Sequence, residues 1–268
     1  MMRCYYLAEK YLNPFLKFSA DTRAIADELR KISPEMNIKA ISTDINSAFK
    51  HPYTVDQYGT CHIQIVGSLS RRVNPCAGMF FEEATTYSEI IEQTNRAEDD
   101  ESVNEIVYHV NSPGGEVAGV DTAAMIIRQV TKPTSAIVED MCCSAAYYLA
   151  SQTGEIIASS PLDEIGSIGV MMYLPGKSDD DSIILTTAKN KNPDPRTDDG
   201  LKVYRDRIQS MHDTFVARVV EGRSRAGLPI TRRIVENEFG QGGVFPAARA
   251  KAVGMIDEVW NPISEAVQ

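Results

Sequence analysis

The stretch Met141-Cys142-Cys143-Ser144-Ala145-Ala146-Tyr147-Tyr148-Leu149-Ala150 places one hydroxyl between two flanks of small residues. The pattern predicts a buried strand just before Ser144 and a helix just after it. A serine at such a junction can stand at the N-terminus of a helix, where unpaired N–H groups and the helix dipole favour developing negative charge. We therefore consider Ser144 a candidate nucleophile. An ordinary helix N-cap on a small-residue packing face is the alternative interpretation.

Strands and helices are predicted to alternate on both sides of this junction. Apolar and β-branched runs predict strands at 61–69, 103–110, 136–138 and 156–158. Segments with a helical apolar period lie between these strands. This order implies crossover connections between largely parallel strands, and therefore an α/β fold.

The flanking regions are less regular. Beyond residue 160 the pattern predicts a glycine-containing strand at 166–172, a strand at 183–187 and a long helix after Gly200. At the other end, a helical pattern at 21–32 is followed by a polar mixture without a clear period. We expect an N-terminal extension over residues 1–59, a folded domain over residues 60–262 and a C-terminal tail over residues 263–268.

The composition excludes several classes of protein. The 268 residues carry a formal net charge of −10, which argues against binding to nucleic acid or to an anionic membrane. No run of about 18 apolar residues predicts a membrane span, and polar residues interrupt the N-terminus where a signal peptide would be apolar. The five cysteines are odd in number and lack C-x-x-C spacing. They predict reduced thiols in a cytoplasm, without disulfides or a zinc site, and we expect no metal or cofactor.

Three turns rich in small residues follow predicted strands. They are Gly114-Gly115, Cys143-Ser144-Ala145 and Gly166-Ser167-Ile168-Gly169. Sites in open α/β sheets gather at the carboxyl ends of parallel strands, so these turns are expected to converge. A glycine pair lets the backbone approach a ligand and present N–H groups, as an oxyanion hole requires. A simple tight turn before a helix is the alternative interpretation of Gly114-Gly115.

A serine nucleophile needs a base, and histidine is poorly placed to supply it. None of the four histidines lies between Gly115 and residue 211, and His109 stands within a predicted strand, where we expect it to pack in the core. A lysine can act instead if its surroundings keep it neutral. Lys189 and Lys191 follow the predicted strand at 183–187, and solvated surface lysines are the alternative interpretation of both. Cys142 and Cys143 have no evident base, so we do not expect either thiol to be the nucleophile.

Four ordered motifs resemble the signal peptide peptidase A (SppA) family. They are Asn-Ser-Pro-Gly-Gly at 111–115, Ser-Ala-Ala-Tyr-Tyr-Leu-Ala-Ser at 144–151, Gly-Ser-Ile-Gly-Val at 166–170 and Ala-x-x-x-Gly-Met-Ile-Asp at 250–257. Within that family they are most similar to the phage capsid assembly protease branch, the protein C type that processes proheads. The resemblance covers about residues 60–262.

The resemblance implies a ClpP/crotonase-type fold, with a largely parallel sheet and βαβ crossovers, and a serine peptidase with a Ser–Lys dyad. Residue by residue, Ser144 matches the nucleophile, and Gly114 and Gly115 match the oxyanion-hole turn. Ser167 matches the serine that helps to position the lysine amine.

The lysine segment departs from the family pattern. The family carries it in a Gly-x-x-Lys context, which Lys191 fits best. Ala188 stands where that glycine is usual, and the segment after Gly169 is shorter than usual. Lys189 therefore remains an alternative base.

The resemblance also implies a biological setting. It predicts protein or peptide substrates, namely scaffold, portal or capsid proteins, and a ring-shaped homo-oligomer in which the lysine can come from a neighbouring protomer. The expected location is the host cytoplasm or the interior of the procapsid. The alternatives are a host-type signal-peptide or oligopeptide peptidase, a crotonase-like acyl-CoA enzyme, and an inactive shell or scaffold component.

Overall fold

A computed structural model describes residues 54–72, 84–174, 190 and 193–260 of the chain. Helices and strands alternate through most of these residues. In order, the elements are β1 (Thr54–Val55), β2 (Thr60–Ser70), β3 (Ala84–Thr86), α1 (Tyr87–Asp99), β4 (Glu105–Gly115), α2 (Val120–Gln129), β5 (Thr134–Cys143), α3 (Ala145–Ala150), β6 (Glu155–Ala158), β7 (Glu164–Gly166), α4 (Asp198–Arg225), α5 (Arg232–Glu238), β8 (Val244–Pro246), α6 (Ala247–Ala252) and β9 (Glu258–Val259).

The strands form one mixed sheet in which parallel pairs dominate. Its main path runs β1-β2-β4-β5-β6-β9, while β3 pairs with β2, and β7 pairs with β5 and β8. Only β1 with β2 and β7 with β8 are antiparallel among the described strands. Helices α1, α2 and α3 connect successive parallel strands, as the predicted α/β order requires. The prediction of an α/β protein with a largely parallel sheet is confirmed.

Strand β5 has two different neighbours along its length. Residues 135–138 pair with β6, whereas residues 141–143 pair with β7. The change occurs at Asp140, whose φ is +93°. The buried carboxylate of Asp163 accepts from the Asp140 N–H at 3.2 Å and from the Ser160 N–H at 2.9 Å. This carboxylate therefore fixes where β7 begins against β5.

The first crossover helix begins at a capping box. Thr86 Oγ1 accepts from the Glu89 N–H at 3.2 Å, and the Glu89 carboxylate accepts from the Thr86 N–H at 2.8 Å. Tyr87 and Ile90 then face the core and are 1% exposed. Thr86 is therefore the N-cap of α1.

Several predicted boundaries differ from the observed ones. The turn predicted at 111–115 continues β4 to Gly115, because Ser68 and Leu69 of β2 still pair with Gly114 and Gly115. The strand predicted at 166–172 is wrong beyond Gly166, where β7 ends. Strand β1 pairs with β2, so the sheet begins before residue 60. The helix predicted at 21–32 and the strand predicted at 183–187 lie outside the described residues.

The long helix α4 is anchored mainly by its C-terminal half. Phe215, Val216 and Val219 are at most 4% exposed, whereas Tyr204 and Ile208 in its first half are half-buried. Arg223 is fully buried, and its Nη2 donates to Asp257 Oδ1 at 2.8 Å. Neither this helix nor any other in the described part of the chain is both long and apolar enough to cross a membrane.

A second contact of α4 reaches the helix that follows Ser144. Arg218 Nε donates to Asp121 Oδ1 of α2 at 2.7 Å, and the Tyr148 hydroxyl of α3 donates to the same oxygen at 2.8 Å. The Arg218 guanidinium, and secondarily the Tyr148 hydroxyl, lower the pKa of Asp121. Helices α2, α3 and α4 are therefore joined through one carboxylate.

We predict that Asp257→Ala destabilises the fold strongly. The substitution leaves the fully buried Arg223 guanidinium without its anionic partner and removes the acceptor of the Ile156 N–H. A lost partner of a buried charge costs about 3–5 kcal/mol, which a urea unfolding curve measures directly. Asp213→Ala breaks a half-exposed pair with Arg232 and serves as the control, for which we expect a much smaller loss of stability. Equal losses in the two variants would contradict this assignment.

Candidate active site

Ser144 occupies a strained junction between β5 and α3. Its φ of +52° and ψ of −122° lie outside the regions that a residue with a side chain normally adopts. Its N–H donates to the Gly166 carbonyl at 2.8 Å, and its carbonyl accepts from the Tyr148 N–H at 2.9 Å. The backbone is therefore held on both sides of an unfavourable conformation.

The geometry of Ser144 disfavours the simple N-cap interpretation. An N-cap serine has extended backbone and accepts a hydrogen bond from the first turn of its helix. In the described structure, the Ser144 side chain makes no capping hydrogen bond, and its backbone is not extended. The residue is half-buried, whereas all six residues of α3 are buried. Ser144 thus stands at the edge of the core, immediately before the first residue of α3.

Gly114 packs directly against this junction. A Cβ on Gly114 would lie 2.7 Å from the Ser144 Cβ, 2.7 Å from the Cys143 carbonyl oxygen and 2.8 Å from the Ala145 nitrogen. Its φ of +97° also requires glycine. The predicted convergence of the Gly114-Gly115 turn with the Ser144 turn is therefore present. The Gly114 N–H itself donates to Ser112 Oγ at 3.0 Å.

Glycine is required at position 115 because of β2, not because of Ser144. A Cβ on Gly115 would lie 1.8 Å from the Leu69 carbonyl oxygen, so no side chain fits there. The next amide, that of Glu116, donates to that same oxygen at 2.8 Å. The end of β4 is therefore fastened to β2 immediately after the glycine pair.

Ser167 lies beside the same junction. It follows Gly166, whose carbonyl binds the Ser144 N–H, and Gly166 is paired with Cys143. Ser167 is half-buried, has a φ of +56° and donates its N–H to the Gly243 carbonyl at 2.8 Å. The third predicted turn therefore meets the Ser144 turn.

Two parts of this site were missed in the sequence. The first is Ala145, whose amide opens α3 next to Gly114; its signal was its position as the first residue after Ser144. The second is Gly243, which supports Ser167 from β8. The only sequence signal for Gly243 was the cluster of glycines at 240, 242 and 243, and nothing in the sequence relates this cluster to residue 167.

The structure leaves the predicted lysines untested, because Lys189 and Lys191 lie outside the described residues. It does exclude His109 as a base for Ser144. His109 pairs with Ile137, seven residues before Ser144 on β5, which corresponds to roughly 20 Å along an extended strand.

The prediction that His109 packs in the core is wrong. Its side chain lies on the opposite face of β4 from the buried Tyr108 and Val110, since successive side chains alternate. There its Nδ1 contacts Glu139 at 2.7 Å and its Nε2 contacts His62 Nδ1 at 2.9 Å. The histidine therefore belongs to a half-buried polar chain.

The two cysteines before Ser144 are packing residues in this structure. Cys142 is 0% exposed and Cys143 is 2% exposed. Burial raises the pKa of the Cys142 thiol, which disfavours the thiolate. The Cys143 thiol faces the Glu164 carbonyl at 3.7 Å. Neither sulfur has the environment of a nucleophile.

A half-buried serine in a strained strand-to-helix turn, faced by a glycine turn, is the kind of site that hydrolases with a serine nucleophile use. The sequence comparisons point to the same class. Residues 126–179, which include Ser144 and Ser167, match Peptidase family S49.

Among individual proteins, the chain is 38% identical over 107 residues to capsid assembly protease C of Escherichia phage lambda, covering 39% of this chain and 23% of that protein. It is 36% identical over 119 residues to the head-tail preconnector protein GP5 of Enterobacteria phage P21, covering 42% and 23%. It is 28% identical over 188 residues to Protease 4 of Haemophilus influenzae, covering 64% and 29%. The chain thus spans less than a third of the length of each. The predicted resemblance to the SppA family and its phage protease branch is confirmed.

We predict that Gly114→Ala destabilises the fold by about 2–4 kcal/mol in urea unfolding, from backbone strain together with overpacking against Ser144. The matched control is Gly227→Ala. Gly227 has a similar φ of +85°, but a Cβ there meets no atom within 4 Å. The control reports strain alone, about 1–2 kcal/mol. If the two variants lose equal stability, Gly114 does not pack against Ser144 as described.

Proposed function

We propose that this chain is a serine endopeptidase with a Ser–Lys dyad, acting as a prohead protease of a phage or prophage. The observation that carries the proposal is the conformation of Ser144. A non-glycine residue is held at positive φ by hydrogen bonds on both sides, immediately before the first residue of α3. Strain of this kind is retained where geometry matters for function.

The oxyanion would be bound by backbone amides. The turn proposed for this role contains Gly114 and Gly115, and the Gly114 amide already donates to Ser112. The Glu116 N–H points at β2, where it donates to the Leu69 carbonyl. Successive N–H groups of an extended chain point in opposite directions, so the Gly115 N–H points away from β2. We therefore assign the oxyanion to the Gly115 and Ala145 amides, with Gly114 as the residue that lets them approach.

The proposed chemistry follows from these positions. A neutral lysine, Lys191 or alternatively Lys189, accepts the proton of Ser144 Oγ as this oxygen attacks the peptide carbonyl carbon. The lysine then protonates the leaving amine, and the C–N bond breaks to give an acyl-enzyme. The lysine amine, now neutral again, deprotonates a water molecule. The water hydrolyses the ester, and the proton returns to Ser144 Oγ. Ser167, which lies beside Ser144, would orient the lysine amine by a hydrogen bond.

The larger architecture extends the proposal. The parallel sheet with its crossover helices supports a ClpP/crotonase-type fold for the domain proposed at residues 60–262. The N-terminal extension proposed at residues 1–59 then contributes β1 to the edge of that sheet. A ring-shaped homo-oligomer would then let a neighbouring protomer supply the lysine. Unfolded segments of substrate would have to enter the ring to be cut.

The substrates are proposed from the relatives. The phage lambda relative is named a capsid assembly protease and the phage P21 relative a head-tail preconnector protein. Scaffold, portal or capsid proteins are therefore the proposed substrates. The proposed setting is the host cytoplasm or the procapsid interior.

The first test is Ser144→Ala, assayed on fluorescein-labelled casein and on co-expressed scaffold and portal proteins. Loss of the nucleophile should lower kcat by roughly 10³-fold or more. Ser151→Ala, a buried serine at the other end of α3, is the matched control and should keep its activity. Unchanged processing by Ser144→Ala would overturn the protease proposal. Binding of coenzyme A by an inactive chain would favour acyl-CoA chemistry, and assembly without any cleavage would favour a shell component.

The second test identifies the base. Lys191→Ala should abolish cleavage, whereas Lys189→Ala should retain it, and Lys202→Ala on the exposed side of α4 controls for loss of charge. A dead Lys189 variant beside an active Lys191 variant would exchange the two roles. Activity in the Lys189→Ala/Lys191→Ala double variant would exclude the dyad. Mixing inactive Ser144→Ala protein with inactive Lys191→Ala protein tests whether the lysine acts across subunits, because restored cleavage requires shared sites.

A further inference from the structure

Ser112 has a fully buried hydroxyl that joins two strands beneath the Ser144 junction. The residue is 0% exposed. Its Oγ donates to the Gly67 carbonyl of β2 at 2.6 Å and accepts from the Gly114 N–H of its own strand at 3.0 Å. One hydroxyl thus satisfies two backbone groups, of which the Gly114 N–H is buried and costly to leave unpaired.

These bonds lie where the sheet changes register. The pairing of β2 with β4 shifts between Val66 and Ser68, around Gly67. The pairing of β4 with β5 shifts between Val110 and Ser112. A bulge interrupts the regular ladder of backbone hydrogen bonds. The Ser112 hydroxyl connects the two irregular points and fixes the path of β4 as it approaches the glycine pair.

The position of β4 at this point is coupled to Ser144 by direct packing. The Gly114 Cα is so close to Ser144 that a single added carbon would collide with the Ser144 Cβ. The Ser112 hydroxyl holds the Gly114 amide, and thereby the peptide unit that leads into Gly115. A small displacement of the turn would move the proposed oxyanion donors relative to Ser144 Oγ.

We propose that Ser112 is a positioning residue that fixes the oxyanion-binding turn against Ser144. This role rests on the proposed peptidase function. Ser112 contacts neither the substrate nor the reacting atoms. It acts on the transition state through Gly114 and Gly115, so its loss should lower kcat and leave KM nearly unchanged.

The test compares Ser112→Ala with Ser151→Ala on fluorescein-labelled casein. Ser151 is the matched control, because it is also 0% exposed, donates to the Tyr148 carbonyl and accepts from Gln152 Nε2. Both variants should lower the midpoint of urea unfolding. Only Ser112→Ala should lower kcat, by roughly 10- to 100-fold, as expected for a misplaced catalytic group. Ser112→Cys replaces the hydroxyl by a somewhat larger thiol that is a weak donor and acceptor, so it should have an intermediate kcat.

The outcomes separate this proposal from the proposed function. If Ser144→Ala is inactive but Ser112→Ala keeps the wild-type kcat, or if it raises KM alone, the positioning role is overturned. Equal losses of kcat in Ser112→Ala and Ser151→Ala would also overturn it. If Ser112→Ala does not fold, Ser112→Cys decides: a reduced kcat at unchanged stability supports the role, and a wild-type kcat refutes it. If Ser144→Ala cleaves like the wild type, the proposed function fails and this role falls with it.

Discussion

The hydrogen bond from the Ser144 N–H to the Gly166 carbonyl, 2.8 Å long, joins the end of β5 to the end of β7. It holds Ser144 at a φ that its side chain disfavours, and it brings Ser167 next to the serine. Without it, β5 could run into α3 through an ordinary cap. The site depends on this bond because it holds Ser144 outside the helical conformation of the residues that follow it.

The surrounding structure maintains that bond from several directions. Asp163 sets the register of β7 against β5, and Gly243 holds Ser167 from β8. On the other side, the buried α3 is tied to α2 and α4 through Asp121. The last strand is tied to α4 through the buried ion pair of Arg223 with Asp257. The strained turn is maintained here because packed elements contact it on each side.

Much of this arrangement can be predicted from the sequence, and the rest depends on contacts between distant segments. The parallel α/β order and the junction at Ser144 were predicted because runs of β-branched residues and helical periods are local signals. Strands β3 and β8 have three residues each, too few to show a period. The apolar run after Gly166 resembles a strand, yet it forms no ladder among the described residues.

The same distinction applies within the site. The three small-residue turns were identified from glycine and serine patterns, and the structure brings them together. Other contacts depend on register between strands far apart in sequence. These include the bond of the Gly114 amide to Ser112 and the support of Ser167 by Gly243. No local pattern carries such information. The lysine remains a prediction from the resemblance, at positions outside the described residues.

We propose that Ser144 is the nucleophile and that the amides of Gly115 and Ala145 bind the oxyanion. A crystal structure of the chain after reaction with a peptide boronate tests this directly, because the boronate forms a tetrahedral adduct with a nucleophilic oxygen. We expect boron bonded to Ser144 Oγ, with one boronate oxygen about 2.7–3.1 Å from both amide nitrogens. Boron on any other side chain, or an adduct on Ser144 whose oxygens point away from both amides, would contradict it.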